Sequence, residues 1–183
     1  MANGIIEKSK NGLFENEIEC NGKYSKMIRF LKDEIQIFST FREAYVLAMV
    51  VGFLNNKKET TDDSEKVSPA SVFPNELSKR KRDLRIIYRI IMLLDEDGER
   101  SIEDCMNRAF RDDANEEDYT NLRLNMEIVN SYACGGLEFL YEKFKDARDN
   151  DEVIDLLYDF VHELSEDVGI NNVSLPSFEA DFS

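Results

Sequence analysis

Tyr132-Ala133-Cys134-Gly135-Gly136-Leu137-Glu138-Phe139-Leu140 sets two adjacent glycines inside a strongly helical run. A glycine in a helix interior costs roughly 1 kcal/mol against alanine, so a pair means that something needs the bare backbone there. Either another helix packs unusually close, or the helix bends. Both demands are architectural, and neither is chemistry. The apolar positions Tyr119, Leu122, Met126 and Val129 before the pair, and Phe139, Leu140 and Phe144 after it, extend the helical pattern from Glu116 onward.

The first clear helix of the chain stands earlier. Thr40 precedes Glu43 by three residues, the spacing of a capping box, in which hydroxyl and carboxylate each satisfy an orphan amide. Phe41, Ala44, Tyr45, Leu47, Ala48, Val51 and Leu54 then supply an apolar surface, and Met49 and Val50 add to it. A helix apolar almost all round is buried on several sides, so 41–54 is expected as the central helix of the core. A second helix is expected over Asn75–Leu94, with Lys79-Arg80-Lys81-Arg82 in its first half and Leu84 to Leu94 apolar in its second. The acidic turn Asp95-Glu96-Asp97-Gly98-Glu99 ends it, with Gly98 as a stop. Ser101 and Asp104 mark the start of a short helix carrying Ile102, Cys105, Met106, Ala109 and Phe110. A last helix starts near Asp151 and repeats Val153, Leu156, Leu157, Phe160, Val161, Leu164 and Val168 at i, i+3, i+4, i+7 spacing until Gly169.

The remainder is connection. Residues 1–23 are polar, with Gly4, Gly12 and Gly22, and read as a mobile or loosely docked arm. Met27–Asp33 reads equally as a short strand or a helix start. Residues 55–74 read as a long loop, with Phe73 as the side chain that pins it to the core, and 170–183 as a tail. The expected architecture is all-α: a single-domain bundle of five to six helices over 24–169, with a mobile N-terminal arm and a C-terminal tail.

Composition narrows the function. With 38 acids against 23 bases, the net charge of −15 repels phosphate and disfavours non-specific attraction to nucleic acid or anionic membrane. Cys20, Cys105 and Cys134 are odd in number and far apart, which argues against a disulfide framework and fits a reducing compartment. The N-terminal residues lack the apolar core of a signal peptide. The longest apolar run, Ala44–Leu54, is interrupted only by Gly52 and falls short of the ~20 residues that span a bilayer. A cytoplasmic protein with no membrane partner is expected.

Chemistry-bearing motifs are scarce. The single histidine, His162, has no Cys, His or Asp partner at ligand spacing, so no metal and no cofactor is expected. Cys134 has no base between Tyr132 and Glu142 to activate it. The run Asp112–Asp118 lacks the glycine and ligand spacing of a calcium loop and reads as a solvated acidic turn. The one local reversal of charge is Lys79, Arg80, Lys81, Arg82, Arg85 and Arg89, six bases against Asp83. This face either contacts a phosphate backbone or an acidic partner, or pairs internally with the acids of 95–118. In the tail, Phe178 and Phe182 alternate with Glu179 and Asp181, a pattern suited to a partner's groove or to folding back on the bundle.

Phe41–Phe53 and Tyr132–Leu140, together with the opening Met27–Asp33, resemble small proteins associated with bacterial DNA phosphorothioation (dnd) systems. The resemblance spans residues 27–55 and 125–165, and the middle is longer and more charged. It implies a place in a bacterial defence cluster that handles marked and unmarked DNA, beside a helicase or nuclease. It carries no catalytic residue. The resulting expectation is a non-enzymatic accessory or adaptor subunit of an anti-phage system that acts by protein–protein binding, with Gly135 and Gly136 allowing close helix packing. Self-association is open as well. Two alternatives remain: an acidic DNA mimic that inhibits a nuclease or DNA-binding protein, and a subunit that contacts DNA through 79–89. A small enzyme ranks last, because no constellation of acid, base or metal ligands appears.

Overall fold

A computed structural model of the chain describes residues 12–61, 67–95, 100–115 and 119–167. The residues group into two compact units, Met1–Lys143 and Phe144–Ser183. The fold is mostly helical, with seven α-helices among the described residues and one small sheet.

The first unit contains strand β1 (Ile18–Cys20), helix α1 (Gly22–Arg29) running into a π-helical turn over Phe30–Glu34, helix α2 (Phe41–Leu54) and strand β2 (Ala70–Val72). Helices α3 (Pro74–Ser78), α4 (Lys81–Leu94), α5 (Ile102–Phe110) and α6 (Thr120–Phe144) follow. The ambiguous Met27–Asp33 is therefore helical. As expected, α2 is the central helix: Ala44, Tyr45, Ala48, Met49, Val51 and Gly52 are buried. Its capping box forms, with Glu43 N–H donating 3.2 Å to Thr40 Oγ1 and Thr40 N–H donating 3.1 Å to Glu43 Oε2. Ser101 and Asp104 make the same reciprocal pair at the start of α5.

The glycine pair is explained by close packing. A β-carbon on Gly136 would fall on the Ala48 carbonyl, one on Gly52 on the Tyr132 carbonyl, and one on Gly135 on the Lys57 carbonyl. Helices α2 and α6 thus touch backbone to backbone, and the glycines are what lets them. Phe53 then sets its ring edge-on to Tyr132, 5.3 Å between centroids.

Three expectations need correction. The described part of the N-terminal arm, residues 12–23, is docked: Leu13 and Phe14 are buried, and Ile18 and Cys20 pair with Val72 and Ala70 in an antiparallel ladder. The supposed loop 55–74 therefore holds a strand. Alternation buries Ala70 and Val72 and turns Ser71 outward, so these two residues anchor the segment while Phe73 stays exposed. Finally, Asn75–Leu94 is two helices. The polar run Ser78–Arg82 offers no side chain to bury, and short helices without an apolar face gain nothing from continuing.

In the second unit, helix α7 (Asn150–Asp167) opens on a cap in which Glu152 N–H donates 3.0 Å to Asp149 Oδ1 and Arg148 N–H donates 2.9 Å to Glu152 Oε2. Val153 and Phe160 are buried, and Phe160 meets Phe144 edge-on. Gly98, Gly169 and residues 170–183, including Phe178 and Phe182, lie outside the described residues.

Candidate functional site

Asp95 follows the last residue of α4 and its carboxylate is fully buried. Lys58 donates to Oδ1, Tyr132 OH donates to the same oxygen at 2.9 Å, Arg100 donates to Oδ2 at 2.7 Å and Arg108 at 3.3 Å. Burial pushes the carboxyl up, but the hydrogen bonds from Lys58 and Tyr132, the Lys58 charge and the Arg100 bond outweigh it and hold the group below its usual range. Burial first, and then the hydrogen bond to Asp95, pushes Tyr132 up to about 12. The hydroxyl stays protonated and donates.

From Arg108 the network continues. Its Nε donates 3.0 Å to Asn125 Oδ1, while Asn125 Nδ2 donates 2.8 Å to Asp112 and 3.1 Å to Tyr88 OH. Tyr88 in turn donates to the Arg108 carbonyl at 2.8 Å. Next to it, the buried Asp113 carboxylate lies 3.1 Å from Arg85 Nε and 3.5 Å from Arg89 Nη2. These contacts run 85 to 113, 88 to 108 and 95 to 100, so α4 and α5 pack as an antiparallel pair. A separate carboxylate, Glu138 of α6, receives Lys23, Lys57 at 3.1 Å and Tyr24 OH at 3.3 Å. Burial opposes its ionised form, yet Lys23 and Lys57 hold it below the ordinary value.

The donors around Asp95 and Glu138 hold both carboxyls below their usual range, so near neutral pH neither has a proton to give. Burial pushes the Cys20 thiol up to about 12 and the Cys134 thiol well above its ordinary value, which removes both as nucleophiles near neutral pH. Among the described residues no group of His, Cys, Asp or Glu is placed to hold a metal ion. Two shallow grooves accompany them: about 460 Å³ beside Lys58, Arg100 and Leu124, and about 420 Å³ beside Arg29, Phe41 and Phe73.

The outer side of the α4–α5 pair is different. Ile86, Ile90 and Leu94 stand at i, i+4 and i+8 of α4 and are 50, 44 and 61% exposed. Ile102, Met106 and Phe110 repeat that spacing on α5 at 85, 47 and 40%. The Arg89 guanidinium lies over the Phe110 ring, 5.1 Å from its centroid, and ties the two rows together. Single exposed apolar residues are ordinary, whereas aligned rows on two packed helices make a larger apolar patch.

The profile of the DNA sulphur modification system-associated protein 4 family matches residues 21–168. The chain belongs to that family. It is thereby associated with a DNA sulphur modification (dnd) system, in agreement with the resemblance of its two glycine-containing helices. No curated protein and no solved structure matches the chain.

In this DNA sulphur modification system-associated protein the six bases of 79–89 are not one face. Arg85 and Arg89 are turned inward to Asp113, Lys81 pairs with Glu15, and Arg80 pairs with Asp83 at 3.1 Å. Lys79 and Arg82 are exposed and make no ion pair among the described residues. The reading of Asp112–Asp118 as a solvated turn is corrected by Asp113, whose carboxylate is buried beneath two guanidinium groups. His162 is exposed on α7, its Nδ1 3.7 Å from Glu166. Gly136 is buried at the α2–α6 contact, and Gly135 is buried against the Lys57 carbonyl just beyond α2. No helix among the described residues is long and apolar enough to cross a membrane.

The exposed rows were hidden in the sequence by their neighbours. Leu84, Tyr88 and Ile91 face the core, and in the sequence they merge with the exposed residues into one apolar second half of α4. Helical phase carries the signal, since Ile86, Ile90 and Leu94 lie on the opposite side of the turn from Leu84 and Tyr88.

Proposed function

We propose that this chain is a non-enzymatic accessory subunit of a bacterial anti-phage system built on DNA sulphur modification, and that it acts by binding protein. The observation that carries this reading is the α4–α5 face, six large apolar side chains aligned on two helices and turned to solvent. Aligned apolar rows of this kind gain free energy when another surface covers them, and the net charge of −15 disfavours an anionic membrane as that surface. The ionisable groups beneath serve that face: Asp95 and Asp113 gather five cations, Lys58, Arg100, Arg108, Arg85 and Arg89, and fix α5 on α4. A helicase or nuclease of the same gene cluster is the partner class that the family's setting favours, with the accessory subunit assembling or licensing it.

Complementation in cells that carry the complete system tests the reading. Deleting the gene changes the sulphur content of DNA or the exclusion of foreign DNA. Wild type restores the phenotype, and a folded Ile90→Asp variant does not. Full restoration by that variant contradicts it.

A further inference from the structure

We infer that the α4–α5 face is a self-association site, on which two copies of this chain pair across a two-fold axis with Arg82 of one copy opposite Glu103 of the other. The inference rests on the reading of that face as protein-binding and names its occupant. Arg82 heads the row Arg82, Ile86, Ile90, Leu94, each four residues from the last. It is exposed and has no ion pair among the described residues. Glu103 follows Ile102 and precedes Met106 by three residues and Phe110 by seven, which sets it on the same side of α5 as the apolar row. It too is exposed and unpaired among the described residues.

Because α4 and α5 are antiparallel, these two charges mark opposite ends. Arg82 lies at the end where Phe110 finishes α5, and Glu103 lies at the end where Leu94 finishes α4. The face therefore runs from basic through apolar to acidic, over about 18 Å for twelve helical residues. Of the other charges nearby, Asp83 on the same side of α4 is paired with Arg80, Arg85 and Arg89 share Asp113, and Asp104 is held by Ser101.

Such a polar arrangement is complementary to itself. A two-fold axis lying in the face, perpendicular to the line from Arg82 to Glu103, turns one copy over onto the other, so each copy's basic end meets the other's acidic end while the apolar rows cross one another. Two Arg82–Glu103 pairs form at once. Six apolar side chains from each copy, with the residues around them, suffice for the roughly 1,000 Å² that a specific interface needs. The net charge of −15 opposes pairing at low salt, but at physiological ionic strength it is screened beyond about 8 Å.

Sedimentation analysis of the full chain at physiological salt, over a wide concentration range, tests this. The expected species is a dimer of the 21.2 kDa chain. Arg82→Glu and Glu103→Arg each weaken dimerisation at least tenfold. The double variant Arg82→Glu/Glu103→Arg regains most of it, because both pairs re-form with their signs exchanged. Both positions are exposed, so neither change threatens the fold. A wild-type chain that stays monomeric overturns the inference, as does a double variant no tighter than the singles. A monomer that retains a protein of the dnd system and loses it on Ile90→Asp gives the face to that protein, overturning self-pairing alone. A dimer that engages no protein of the system upholds self-pairing and counts against the accessory-subunit reading.

Discussion

Gly136 of α6 sits so close to Ala48 of α2 that a side chain on Gly136 would occupy the position of the Ala48 carbonyl oxygen. Gly52 makes the reciprocal approach to Tyr132, and the obstacle is backbone in both cases. Gly136→Ala and Gly52→Ala are each expected to destabilise by about 3 kcal/mol or more, beyond the gain in helix propensity, because neither backbone can yield without moving its helix. Denaturant unfolding measures the loss. A variant as stable as wild type would show that the contact is looser than described.

Asp95 concentrates more neutralising groups than any other carboxylate described here. Asp95→Ala leaves Lys58, Arg100 and Arg108 without their common partner, of which Lys58 and Arg108 are largely buried. The expected cost is about 3–5 kcal/mol, the usual range when one member of a buried ionic cluster is removed. Thermal and urea unfolding should agree on it, and a loss under 1 kcal/mol contradicts the role assigned to Asp95.

The same carboxyl carries a pH signature. Its folded-state pKa is lowered, so its contribution is fully present above the unfolded value of about 3.9 and disappears as pH falls through the lower folded value. The stability difference between wild type and Asp95→Asn should therefore stay constant from about pH 7 to pH 5 and shrink below about pH 4. Glu138→Gln should behave alike, since Lys23 and Lys57 lower that group too. A difference that already shrinks between pH 7 and pH 5.5 has the wrong sign for both.

Thiol reactivity separates the three cysteines. Cys20 and Cys134 are buried with raised pKa values, whereas Cys105 on α5 is half-buried. In the native protein at neutral pH, Ellman's reagent should titrate one thiol promptly, and Cys105→Ser should abolish that fast phase. All three react after unfolding. A fast phase that survives Cys105→Ser would mean that one of the buried thiols is accessible.

Local signals were legible in the sequence where the chain's own neighbours settle the matter. The capping boxes at Thr40–Glu43 and Ser101–Asp104 form as their spacing requires, and Gly135-Gly136 announces the close contact that α6 makes. The counterpart was not legible, because Gly52 looks like an interruption of an apolar run until the fold sets it against Tyr132. Long-range partners behave likewise. Lys58 and Asp95 are 37 residues apart and meet only through tertiary packing. Asp95 read as the first residue of an acidic turn because nothing local marks a buried acid. Strand β2 was missed for a related reason: three residues carry too little alternation to stand out between two prolines, and their partner strand lies in a segment read as an arm.

The most direct measurement is recovery of tagged protein from cells carrying the whole dnd cluster, wild type beside Ile90→Asp and Met106→Asp. The account predicts that wild type brings down at least one protein of that cluster in stoichiometric amount, and that both folded variants, which lose the pairing of their α4–α5 faces, lose that protein with it. Recovery of the wild-type chain without any such protein, or an identical set of companions with all three forms, would contradict it.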